Sequence, residues 1–97
     1  MLTDAVGLGD RAAADFNTMV YPNPANSSSM VQFTVDQQSL VELSLMNAVG
    51  QLVYQDARVY SQGLHSEQID LSEFASGLYF VKVRMNGNQQ AQKLIID

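Results

Sequence analysis

Apolar and polar residues alternate in segment after segment of this chain. Val31, Phe33 and Val35 alternate with Gln32 and Thr34, and Val41, Leu43 and Leu45 alternate with Glu42 and Ser44. Ile69 and Leu71 repeat the pattern around Asp70, Tyr79, Val81 and Val83 around Phe80 and Lys82, and Leu94 and Ile96 end the chain in the same way. A side-chain period of two belongs to an extended strand with one buried and one solvated face. A long helix has no place in such a chain: RAAADF, at 11–16, supplies one helical turn at most, which is marginal alone.

Turn chemistry divides the alternation into strands. Asn47-Ala48-Val49-Gly50 starts with a turn-forming Asn and ends with a Gly free to take positive φ, as in a hairpin with a bulge. Asn86-Gly87 is the strongest short hairpin signal in the chain, and Gly63 and Gly77 punctuate the segments between. The reading is an all-β, Ig-like antiparallel sandwich of about seven strands, over 19–21, 30–35, 40–46, 51–57, 64–71, 78–86 and 88–96. In QLVYQDARVY (51–60) both parities carry apolar side chains, so the pattern assigns a strand there but no inner face.

Composition narrows the function classes. At 97 residues the chain makes one domain, and 46% apolar content is that of a globular protein. No apolar run is long enough to cross a membrane as a helix. A net charge of −5 argues against nucleic acid as a partner, since phosphates repel such a surface. With no cysteine there is no disulfide, thiol catalysis or thiolate metal site. The start, MLTDAVGLGD, lacks the basic and apolar regions of a signal peptide, so an export signal is expected on a larger parent chain.

Residues 1–18 show no strand alternation and read as a linker or the tail of a preceding cargo region, with the domain proper at 19–97. Between them stands VYPNPANSSS, which holds both prolines of the chain. Pro22 and Pro24 fix φ, remove two N–H donors and push their predecessors toward extended geometry. Tyr21-Pro22-Asn23-Pro24 is therefore a stiff lead-in that a central strand excludes.

The order of the segments carries more than each alone. VYPNPANSSSMVQFTV precedes LSLMNAVGQLVY, then IDLSEFASGLYFVKVRMNG, then a terminal KLIID. This succession resembles the C-terminal sorting domain of cargo for the type IX secretion system of Gram-negative bacteria, in its type A form, the Por secretion system tail family. The residues that match the family motif are Pro22, Asn23, Pro24, Gly50, Gly77, Tyr79, Lys93, Leu94 and Ile95. The resemblance implies a seven-stranded Ig-like sandwich that acts as a non-catalytic address tag and takes no cofactor. It implies a parent exported to the periplasm, then recognised by the outer-membrane translocon and its shuttle components. It further implies a sortase-like surface cysteine peptidase that cuts upstream of the sandwich and anchors or releases the cargo. Here the cut is expected in the stretch from Asp10 through Ala14, Asp15, Phe16 and Asn17 to Thr18.

A recognition surface follows from the hairpin. A turn of two residues at Asn86-Gly87 puts Lys93 on the same face as Phe80, Lys82 and Arg84, which gathers three of the five basic residues beside an exposed aromatic. The plainer reading of these charges is protection of a wet sheet face against aggregation. The terminal strand, at a sheet edge, offers backbone groups to a partner strand or a second copy, so a dimer through strand edges is open.

Other constellations carry less. His65 and Glu67 share a strand face, but a metal site needs three or four ligands. Nucleophile-elbow, P-loop and dinucleotide fingerprints are absent, so no enzyme is read. Asn26-Ser27-Ser28 matches the glycosylation sequon formally, which the bacterial resemblance makes immaterial. Tyr79, two residues after Gly77, is placed to bond a nearby backbone group, as in a tyrosine corner. The competing function is an adhesive or carbohydrate-binding sandwich, against which the absence of Trp counts.

Overall fold

In each alternating segment the apolar parity turns to a single interior. A computed structural model, which describes residues 17–97, arranges them as β1 (Met19–Tyr21), β2 (Ser28–Val35), β3 (Ser39–Asn47), β4 (Leu52–Tyr60), β5 (Gly63–Asp70), β6 (Gly77–Met85) and β7 (Asn88–Ile96). Two antiparallel sheets result, a three-stranded one in the order β1-β2-β5 and a four-stranded one in the order β4-β3-β6-β7. The all-β sandwich expected from the alternation is what forms. Its core is built by the inward parity: Val31, Phe33 and Val35 from β2, Val41, Leu43 and Leu45 from β3, Val81 and Val83 from β6, and Leu94 and Ile96 from β7.

Strand ends follow local chemistry. At the β6–β7 turn Asn86 (φ 52°) and Gly87 (φ 78°) both adopt the left-handed region that a two-residue hairpin loop needs. The β3–β4 turn is held by the Asn47 carboxamide, whose Oδ1 accepts from the Val49 and Gln51 amides at 3.1 and 2.9 Å. After β5 the Asp70 carboxylate accepts from the Ser72 amide at 3.0 Å, and that bond holds its pKa below the ordinary aspartate range.

β4 departs from the sequence reading in length and in shape. Predicted to end at residue 57, it runs on to Tyr60 because Ala57–Tyr60 pair with Glu42–Ser39 of β3. A bulge between Leu45 and Met46 leaves Val53 unmatched, so Leu52 shares the outward side of Met46 while Tyr54 shares the inward side of Leu45. Beyond it Asp56 and Arg58 take the inward parity at this sheet edge, and Arg58 reaches the Glu67 carboxylate of β5 at 3.8 Å. Inward-facing charge on an edge strand discourages pairing with another chain.

Candidate functional site

The two prolines lie where the chain changes sheets. β1 pairs with β2 in the smaller sheet, whereas Ala25 makes a parallel bridge to Ile96 in the larger one. The crossing is Pro22-Asn23-Pro24, with both Tyr21–Pro22 and Asn23–Pro24 bonds cis. Prolines bring no N–H to a crossing that has no ladder to receive it. Asn23 uses its side chain instead. Its amide donates to the Lys93 carbonyl at 2.8 Å and its Oδ1 accepts from the Ile95 amide at 3.0 Å. These are the two bonds that a backbone residue of an eighth strand would make. Ala25, wholly buried, extends the ladder: its amide donates to the Ile95 carbonyl and its carbonyl accepts from the Asp97 amide, both at 2.8 Å. The terminal strand is thus an edge strand, as read from the sequence, but its outward groups from Lys93 to Asp97 are occupied by the chain itself.

Just upstream, Thr18 is pinned to the same strand. It is buried, its hydroxyl donates to the Gln90 side chain at 2.8 Å, and its carbonyl accepts from the Gln92 amide group at 3.1 Å. Asn17 is exposed. Of the expected cleavage stretch, Asp10, Ala14, Asp15 and Phe16 lie outside the described residues.

Across the outer face of the larger sheet the pairing brings the four patch residues together. Phe80 lies opposite Lys93 on one side and Met46 on the other, Lys82 lies between Ala91 and Ser44, and Arg84 between Gln89 and Glu42. Arg84 is spoken for, at 3.8 Å from the Glu42 carboxylate. Lys82 and Lys93 make no ion pair among the described residues. The sequence reading left out the apolar surroundings of Phe80. Met46 and Leu52 continue its row, Leu78 and Ile95 pair in the next, and Leu52 is 54% exposed against 38% for Phe80. The parity of Met46 was available in the alternation of β3. Leu52 was not, because the bulge decides its side.

The remaining motif residues serve the frame. Gly50 (φ 88°) closes the β3–β4 turn, and Gly77 (φ 149°) opens β6. The Tyr79 hydroxyl donates to the Ala75 carbonyl at 2.7 Å, the tyrosine-corner bond expected of it. Leu94 is fully buried and Ile95 half-buried on the outer side.

Among the described residues, the side chains weighed for chemistry are engaged in structural contacts. His65 Nε2 is bonded to the Ser61 carbonyl at 2.7 Å and Glu67 faces Arg58, and no cluster of three metal-ligating side chains occurs among the described residues. The Tyr60 hydroxyl is buried and has no partner at regular hydrogen-bond geometry; burial first, and then its approach to the Glu67 carboxylate, raise its pKa to about 12. Such a phenol stays neutral near pH 7. Nor do the aromatics among the described residues form a sugar platform: Tyr21 and Phe80 are exposed on opposite sheets.

Comparison with known proteins assigns the chain by its sequence. The sequence model of the secretion system C-terminal sorting domain matches residues 19–97, the whole sandwich. The chain belongs to this family. No curated protein matches the chain. Among solved structures, the crystal structure of dimeric latent PorU from Porphyromonas gingivalis is similar, with a TM-score of 0.66 at 19% identity. The match covers 81% of this chain and 9% of that one, so the likeness is one of fold over a small part of a much longer protein. As a sorting domain of type IX secretion, the chain marks a protein for export through the outer membrane.

Proposed function

We propose that this sorting domain is the address of a larger exported protein, read as a folded surface and separated from its cargo by a cut in the residues before Thr18. The observation that carries this reading is the family match across the entire sandwich, ending with the last strand and beginning with the lead-in. In the proposed sequence of events the parent folds in the periplasm. Shuttle components bring the tag to the outer-membrane translocon, and a sortase-like cysteine peptidase at the surface removes it, leaving the cargo anchored or free. The geometry supports the position of the cut. A protease needs an extended, accessible segment, and from Thr18 onward the backbone is tied to β7 and β2. Non-catalytic action suits a surface on which, among the described residues, no nucleophile is bonded to a base.

The test is a fusion of the 97-residue chain to the C-terminus of a periplasmic reporter in a host with type IX secretion. The expected outcome is reporter at the cell surface or in the medium, shortened by a cut upstream of Thr18. A reporter that stays in the periplasm, with the sandwich folded, would refute the proposal.

A further inference from the structure

Among the described residues, basic side chains without an ion pair sit in one place. Of its five basic residues Arg11 lies outside the described part, Arg58 is paired with Asp56 and Glu67, and Arg84 with Glu42. Lys82 and Lys93 are left, on neighbouring strands of the larger sheet, flanking Phe80 on its outer face. The smaller sheet has no Lys or Arg at all in its three strands. Around Phe80 lie Met46, Leu52 and Leu78, an apolar row that leaves much of its surface in water.

We propose that this face docks a protein partner whose surface has an apolar cleft for Phe80 rimmed by carboxylates for Lys82 and Lys93. The inference rests on the sorting reading and names the chemistry of the surface that does the sorting. An aromatic anchor with a charged rim is the usual anatomy of an interface whose energy is concentrated in few residues. Apolar burial supplies affinity, and the lysines supply orientation and speed of encounter. A polyanion fits less well. Two unpaired cations among the described residues neutralise few phosphates, and a chain of net charge −5 repels the rest. Leu52 and Phe80 also call for an apolar counterpart that a nucleic acid backbone or a glycan chain does not provide. Arg84 stands outside the docking set because the Glu42 carboxylate, 3.8 Å away, offsets its charge on this face.

The experiment uses the reporter fusion in the secreting host, with the thermal midpoint of each purified chain as the folding control. Phe80→Ser and the double variant Lys82→Glu/Lys93→Glu are each expected to fold and to lower export at least about tenfold, the size of one lost anchor. Lys82→Arg/Lys93→Arg keeps the charge and is expected to keep export, as is Arg84→Gln. Unchanged export of the folded charge-reversed double variant overturns the inference while leaving the sorting reading intact. Failure of the unsubstituted fusion refutes the sorting reading instead. A second arm mixes the chain with protein-free vesicles rich in anionic lipid. Sedimentation with them that depends on Lys82 and Lys93 makes a lipid surface the occupant and overturns the protein partner. Absence of binding there, with loss of export in the variants, supports it.

Discussion

Two tyrosines close the core on opposite terms. The Tyr79 hydroxyl is bonded to Ala75, whereas the Tyr60 hydroxyl is buried beside Phe33 and His65 without a partner at regular hydrogen-bond geometry. An intramolecular hydrogen bond is worth about 1 kcal/mol net, and a buried polar atom left unpaired is worth nothing or less. Tyr79→Phe should therefore destabilise by about 1 kcal/mol, and Tyr60→Phe should stay within about 0.5 kcal/mol of the parent at neutral pH. Denaturant titration checks both. The pair diverges again in alkali. With its pKa raised to about 12 in the fold, Tyr60 is neutral where the unfolded chain already ionises, near 10.0. The fold binds the extra proton, so stability is whole below the unfolded value and falls as pH rises through the folded one. Tyr60→Phe should remove that alkaline loss. The Tyr79 bond was legible because Gly77 marks the strand start two residues before it. The Tyr60 environment was hidden, because apolar residues on both parities of QLVYQDARVY conceal which side faces in.

Among the elements, the β6–β7 hairpin sets most of the functional face. Its register aligns Phe80 with Lys93 and Lys82 with Ala91, and a slip of one residue would turn Lys93 inward and Leu94 out. The register depends on a turn with positive φ at both central positions. Gly87→Ala meets no steric obstacle but places a side chain at φ +78°. It should destabilise by about 1 kcal/mol, whereas Asn86→Gly should change little. Thermal unfolding distinguishes the two. This hairpin could be read from sequence alone because Asn-Gly lies between two unbroken alternations, which fixes both faces at once. The outer apolar row could not be read in full. The bulge in β3–β4 adds a residue to one strand, and the parity of everything before it in β4 then depends on pairing that no local pattern records. Edge chemistry was likewise legible only in part. That β7 lies at an edge followed from its terminal position, but the occupant of that edge is seventy residues away in sequence.

Over the whole molecule, the lead-in and the C-terminus are one structural unit. Asn23 and Ala25 together make four hydrogen bonds with Lys93, Ile95 and Asp97, across seventy or more residues of chain. Prolines on both sides of Asn23 remove competing donors and limit the backbone, so its carboxamide is presented to β7 at low entropic cost. The consequence is reciprocal. Loosening either end removes partners from the other, so the last strand is held together with the segment next to the proposed cut. Asn23→Ala deletes two solvent-exposed bonds, which sets the loss at about 1 kcal/mol rather than more. Its sharper mark is local. The Ile95 amide loses its acceptor, so its hydrogen exchange should accelerate severalfold more than that of Val81 or Val83 in the core, and limited proteolysis should reach the backbone around Ala25 earlier. If Ile95 stays as protected in Asn23→Ala as in the parent chain, the carboxamide does not hold the strand, and the prolines serve only to turn the chain from one sheet to the other.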